Sequence, residues 1–217
     1  MKTTQNAGTL SLFSTPVILF DFPDSEQING SLADLIRRKR DNHDGIGRSN
    51  LGGWHSEDDM MAWAPDQARR ILTQAVELCG PKLADVHPGG KRDFQFDARM
   101  WANINGPNHA NQLHCHPGAI WSGVYYVNIG EDGSGADLEG ELMLQDPRFP
   151  MNTMYMPDLL LKDADNEPQY SQFAVKPANG RMVLFPSWLM HSVRPYKGNG
   201  ERISVAFNVM VSPITKP

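Results

Sequence analysis

Two runs of strict two-residue alternation constrain this chain more than anything else in it. From Phe94 to Asn105, one side of an extended backbone carries Phe94, Phe96, Ala98, Met100, Ala102 and Ile104, and the other carries Gln95, Asp97, Arg99, Trp101, Asn103 and Asn105. From Arg202 to Val211, Arg202, Ser204, Ala206, Asn208 and Met210 alternate against Ile203, Val205, Phe207, Val209 and Val211. Period two is the mark of a strand with one apolar face, which another layer must cover. The polar face of a strand usually meets solvent. A tryptophan grouped with Asn103 and Asn105 favours the lining of a polar cavity instead.

Shorter strand-like runs lie at Pro16 to Phe22, Ile120 to Asn128, Glu141 to Gln145, Phe173 to Lys176, Arg181 to Phe185 and Leu189 to Arg194. GEDGSG at 130–135, PANG at 177–180 and KGNGE at 197–201 read as turns between them. Helical periodicity is confined to the first third. Ile28, Leu32, Leu35 and Ile36 follow a cap at Asp24 or Ser25, and Ala68, Ile71, Leu72, Ala75, Val76 and Cys79 follow a cap at Asp66. Strands gathered behind a helical front are the layout of a mainly β protein, a cupin-like jelly roll with an N-terminal helical buttress.

The 217 residues, 40% of them hydrophobic, suffice for a single domain over 1–217. In it, 1–90 supplies a strand and helices that pack on the barrel, and 91–217 is the jelly-roll core with a proline-rich insertion at 146–172 that reads as a cover for a site. The Gly-rich connection 44–65 is long enough to carry function. A net charge of −5 gives no basic surplus for nucleic acid. No apolar run reaches membrane-span length or resembles a secretion signal. Two cysteines, Cys79 and Cys115, are too few for a disulfide framework, so the expectation is a reducing, cytoplasmic setting. The Arg37 to Arg40 run reads as a solvated helix end, and His43, His55 and His109 read as surface histidines.

His114 and His116 differ. Separated by one residue before Pro117, which disfavours helix at the preceding position, they project to one side at the mouth of the strand that starts at Ile120. Two imidazoles so placed can reach one metal ion. His191 lies on the strand before Arg202 and is placed to join them across a hairpin. Arg202 and Ser204 share a face and can grip a carboxylate by charge-assisted hydrogen bonds.

The order of H-x-H, SGVYYVN, GELML, FPSWLMH and ERIS resembles the double-stranded β-helix of Fe(II)/2-oxoglutarate dioxygenases. It is most similar to a microbial family of such oxygenases and more distantly to prolyl-4-hydroxylases. The likeness extends to LFSTPV and SNLGGWHS and so covers most of the chain, with the core motifs between Trp101 and Asn208. It implies Fe(II), 2-oxoglutarate and O2 as cofactor and cosubstrates. It further implies His114 and His191 as metal ligands, Arg202 and Ser204 on the far carboxylate of 2-oxoglutarate, and Tyr126 with Ser122 in the cosubstrate pocket. Trp101, Asn103, Asn105 and Asn208 are the candidates for the substrate side. The reaction implied is hydroxylation with release of succinate and CO2.

One departure stands out, because His116 occupies the place of the expected Asp or Glu. Either His114, His116 and His191 form a three-histidine site, or His116 is the first ligand and Gly118 leaves a vacancy, as in iron-dependent halogenases. A remote Glu141 or Asp146 is a third way to complete the shell. Two other functional classes use the same fold: a cupin-like metalloprotein of different activity, which has no need of Arg202, and a non-catalytic jelly-roll binding module, which has no need of His191. The substrate is a small molecule or peptide. Trp54, Trp63 and the Met-rich 151–156 stretch suit either core or a homodimer interface.

Overall fold

The computed structural model describes residues 12–130, 137–156, 158–163 and 165–214. Its elements are β1 (Ile18–Asp21), α1 (Ser25–Asn42), β2 (Asn50–Leu51), β3 (Trp54–His55), α2 (Met60–Trp63), α3 (Pro65–Cys79) and β4 (Phe94–Asn105), then β5 (Ala110–His114), β6 (Trp121–Asn128), β7 (Leu142–Gln145), β8 (Gln172–Val175), β9 (Arg181–Pro186), β10 (His191–Val193) and β11 (Arg202–Pro213). The strands form a six-stranded sheet, β1-β9-β6-β11-β4-β3, and a five-stranded sheet, β2-β5-β10-β7-β8. Every pairing of these strands is antiparallel. The result is the expected double-stranded β-helix. The turn read at GEDGSG lies, beyond Gly130, outside the described residues.

The two alternating runs are neighbours, with β4 and β11 paired from Asn105↔Arg202 to Phe94↔Pro213. Their apolar faces turn outward. Met100, Ala102, Ile203, Val205, Phe207 and Val209 are buried against Leu32 and Ile36 of α1 and Ile71 and Ala75 of α3, so the helices do buttress the larger sheet. On the other side, Tyr126, Leu142, Leu144, Val183, Phe185 and Leu189 form a second core between the sheets. Their opposite faces divide β6 residue by residue: Tyr125 packs toward the helices and bonds Asn29 Oδ1 at 2.6 Å, while Tyr126 points into the interior.

Several local expectations change. The cap of α3 is Ala64 with Pro65 in the first turn, where a missing N–H costs nothing; Asp66 is already helical. Asp24 makes no capping bond and pairs with Arg70 instead. Arg37 and Arg40 of the charge run are not merely solvated, because both hold Glu201, Arg37 through Nε at 2.8 Å, which ties α1 to the start of β11. The histidine pair stands not at the mouth of β6 but at the end of a separate strand, β5. A-N-Q-L-H lacks β-branched residues, so only its pairing with β10 and β2 makes it a strand.

The Gly-rich connection is more ordered than its composition suggests. Its β2 joins the five-stranded sheet through β5, and its β3 joins the six-stranded sheet through β4. Gly52 and Gly53, at φ +70° and +71°, make the turn between them; a Cβ on Gly52 would run into the His109 ring, and one on Gly53 would sit 2.9 Å from the Ile104 carbonyl. His109 is accordingly half-buried as a wedge, its Nδ1 accepting from Gly106 N at 2.9 Å.

Candidate active site

The interior faces of both sheets enclose a cavity of about 580 Å³. At its wall, His191 of β10 sits directly opposite His114 of β5 in the strand register. His116 follows β5 two residues past its end, its N–H donating to Ser187 O at 2.9 Å. The three rings converge, with centroids 4.9 Å apart for His114 and His116, 4.3 Å for His114 and His191, and 5.0 Å for His116 and His191. One ligand nitrogen from each lies within 4.8 Å of the other two.

Two tautomers are defined by the backbone. Nδ1 of His114 donates to Gln112 O at 2.7 Å, and Nδ1 of His191 donates to Leu189 O at 2.8 Å. Each ring therefore presents Nε2 as an acceptor, the arrangement that orients a metal ligand, with Ser49 Oγ the nearest hydroxyl to that of His114. Burial pushes His191 down to about 3 and His116 down to about 4, and it also lowers His114, with mutual repulsion adding to the effect at His191 and His116. All three are neutral at pH 7, as metal ligands must be. The trio fits an iron site.

No carboxylate belongs to this group among the described residues. Asp146 is engaged by Arg148, Nε to Oδ1 at 3.0 Å, and by Asn152. Glu141 is buried, faces Arg194 at 4.0 Å and does not line the cavity. The remote-carboxylate completion of the shell thus has no geometric support.

Across the cavity from the histidines, on the other sheet, lie Arg202, Ser204, Tyr126 and Ser122. His191 joins His114 and His116 as expected, but through pairing of β10 with β5 and not through a hairpin with β11. β10 and β11 belong to different sheets, and His191 and Arg202 face each other through the interior. Arg202 is only 3% exposed, yet it has no ion-pair partner among the described residues. Its Nη2 donates to Gly140 O at 3.1 Å, its Nε has no partner, and its guanidinium lies 5.2 Å from the Tyr126 ring centre. The Tyr126 hydroxyl is likewise buried without a hydrogen-bond partner. Burial lowers the basicity of Arg202, opposed by Tyr126, and raises the Tyr126 phenol. A buried guanidinium without an ion pair, beside an unsatisfied hydroxyl and Ser204, can receive an anion.

Ser122 Oγ donates to Asn208 Oδ1 at 2.7 Å, and Trp101 and Asn103 also line the cavity. Asn105 does not. It is buried under the Gly53 turn, because β4 passes beneath the connection there. Sequence reasoning missed His55, which is 6% exposed and stacks on Trp101 at 5.5 Å with planes 10° apart; the adjacent Trp and two glycines were the available signal. No described residue of the insertion 146–172 lines the cavity, whereas Ile46, Arg48, Ser49 and Asp58 of the Gly-rich connection do.

A double-stranded β-helix with a convergent histidine trio and a facing anion receptor defines a non-haem metalloenzyme of the oxygenase type. The family model described as "Putative 2OG-Fe(II) oxygenase" matches residues 99–208, and the chain belongs to that family. It is an enzyme, an Fe(II)- and 2-oxoglutarate-dependent oxygenase, with O2 as the implied oxidant. No curated protein matches the chain. Solved structures share its fold at low identity. A Pseudomonas putida prolyl-4-hydroxylase is 15% identical with TM-score 0.57, covering 91% of this chain and 93% of that one. A Trichoplax adhaerens prolyl hydroxylase in complex with a hypoxia inducible factor peptide fragment is 13% identical with TM-score 0.60, covering 89% and 83%. Streptomyces hygroscopicus HygX with nickel and 2-oxoglutarate bound is 13% identical with TM-score 0.57, covering 90% and 83%.

Proposed function

We propose that the chain hydroxylates an organic substrate at a three-histidine iron centre, releasing succinate and CO2. His114, His116 and His191 hold the metal through neutral nitrogens, in preference to the register that leaves Gly118 in the second position, because all three rings converge. Fe(II) bound there with 2-oxoglutarate supplies the activation of O2 and the oxidising power. The chain's own residues do the rest. Arg202 and Ser204 receive the far carboxylate of 2-oxoglutarate, and Tyr126, beside the guanidinium, donates its free hydroxyl to the same group. Ser122 and Asn208 fix the polar wall next to it.

The unpaired buried Arg202 is the observation that carries this reading, since a cupin of other activity or a binding module has no use for that charge. Substrate enters over Trp101 and Asn103. Related folds hold a peptide fragment, in the Trichoplax enzyme, and hygromycin B, in HygX, which supports a peptide or small molecule as the substrate. No helix among the described residues is long and apolar enough to cross a membrane. Two free cysteines suit a cytoplasmic setting, and the exposed Met151, Met154 and Tyr155 suit a homodimer contact.

The test is anaerobic addition of Fe(II) and then 2-oxoglutarate, watching for a visible metal-to-ligand charge-transfer band. Wild type develops the band, His116→Ala weakens it, and Arg202→Met raises the 2-oxoglutarate needed by roughly a hundredfold, the worth of about 2–3 kcal/mol of charge-assisted bonding. The metal-free Arg202→Met protein melts no lower than wild type, because an uncompensated buried charge has been removed. A full-strength band in His116→Ala, together with an Arg202→Met band that saturates at the wild-type 2-oxoglutarate concentration, would refute the assignment.

A further inference from the structure

The segment R-S-N-L-G-G-W-H-S, residues 48–56, is not used by the metal or by 2-oxoglutarate, yet it is built onto both sheets and lends Arg48, Ser49 and His55 to the cavity lining. Its first half is stitched to β5: Gln112 N donates to Ser49 O at 2.9 Å, and Asn111 Nδ2 donates to Ser49 Oγ at 3.2 Å. Ser49 Oγ itself lies 3.4 Å from Nε2 of His114. Its second half brings His55 onto Trp101, which in turn lies 5.7 Å from His116. Nδ1 of His55 donates to Ser56 O at 2.6 Å, so Nε2 is its acceptor nitrogen. The clasp thus contributes exposed Arg48, Ser49 and buried His55 to the lining of the same cavity as Trp101 and the histidine trio.

The charges in this cavity do not balance. Three arginines, Arg48, Arg99 and Arg202, line it against one aspartate, Asp58, although the whole chain carries −5. Asp58 faces Arg99 at 3.9 Å, and Arg202 is assigned to 2-oxoglutarate. Arg48 is left. Among the described residues its guanidinium has no ion pair and no hydrogen bond, and only its backbone N–H is engaged, by Asn50 Oδ1 at 2.7 Å. Its charge is felt inside the mouth, where it disfavours protonation of His55 after burial has done most of that work. Three neutral histidine ligands add to the imbalance, because no carboxylate among the described residues joins them against the metal's charge.

We propose that the 48–56 clasp is the recognition element for the substrate to be oxidised, and that the substrate is an organic anion whose carboxylate or phosphate is received by Arg48 while its body lies along Trp101 and His55. The proposal rests on the reading of the cavity as a metal and 2-oxoglutarate site. Arg48 is a binding residue at the rim, and the atom to be oxidised is presented inward, past Ser49, toward the histidines.

The experiment uses the full chain loaded with Zn(II) and saturating 2-oxoglutarate, a complex that does not turn over. Acetate, methyl phosphate and neutral acetamide are titrated separately, with the Trp101 indole N–H and the Arg48 Nε–H followed by NMR. Acetate or methyl phosphate is expected to shift both signals saturably, the tighter of the two naming the anion, and acetamide to shift neither. Arg48→Gln is expected to weaken that binding at least tenfold while 2-oxoglutarate affinity changes less than twofold. Arg99→Gln, whose charge is already paired, is expected to change anion binding less than threefold. An equal response to acetamide, unchanged binding in Arg48→Gln, or an equal loss in Arg99→Gln would overturn the proposal. Failure of the wild-type Zn(II) protein to take up 2-oxoglutarate would bring down the reading of the site and the proposal with it, and that first titration tells the two failures apart.

Discussion

At the residue scale, the site is built from groups held in the form their task needs. His114 and His191 each spend Nδ1 on a backbone carbonyl, so the nitrogen that faces the cavity is an acceptor. Burial keeps the rings neutral, which has a consequence for the metal-free protein. Their folded values lie below the ordinary histidine value, about 3 for His191 and about 4 for His116, so the unfolded chain binds the extra protons first as pH falls. Stability is therefore full above pH 7 and declines as pH drops through the unfolded histidine range toward the folded values, by up to about 1.4 kcal/mol per pH unit for each such ring. The depressed carboxylates Asp21, Asp146 and Glu201 act only below the ordinary acid range, so the interval from pH 7 to 5 belongs to the histidines. Melting the metal-free protein across that interval should show the fall, and His191→Gln should flatten it. A melting temperature constant from pH 7 to 5 in wild type would contradict the buried, neutral trio.

At the element scale, the short strands matter as much as the long ones. β4 and β11 form the long paired wall, but β2 and β3, two residues each, join the two sheets at the mouth. The turn between them is possible only with glycine at positive φ packed on His109. Gly52→Ala should destabilise the protein by about 2 kcal/mol, through the strained backbone and the displaced His109 ring. Amide exchange of residues 48–56 should accelerate before that of β4. If exchange rises equally everywhere, the clasp is not a separable element. Glu201 works at the same scale, since Arg37 and Arg40 hold it next to Arg202 and so link the helical layer to the strand that carries the anion receptor.

At the scale of the whole molecule, the two cores divide the labour. The outer one joins helices to the larger sheet and uses the apolar faces of β4, β6 and β11; the inner one packs beside the cavity. The segment between β7 and β8 stands apart from both, with Phe149, Met151, Met154, Tyr155, Leu159 and Leu161 exposed. β7 and β8 already pair as a hairpin from Leu142↔Val175 to Gln145↔Gln172, so the fold does not depend on what lies between them. Replacing residues 148–169 by a short turn should leave 2-oxoglutarate affinity within twofold of wild type, measured on the metal-loaded protein. A tenfold loss would mean that the segment reaches the cavity after all.

The sequence by itself determined which residues share a face, because strand and helix periods are local properties of the backbone. That made the polar wall of β4 and β11, the apolar stripes of α1 and α3, the H-x-H pair and the Arg202–Ser204 pair legible before any fold was known. The tertiary structure alone decided what those faces meet. Which sheet a short strand joins depends on partners far away in the chain, so β5 was invisible, His55 looked like a surface residue, and Asn105 looked like a cavity residue. The same holds for Arg202: a strand arginine is ordinary until packing removes water and leaves it no ion pair among the described residues, and only then does its charge call for a ligand.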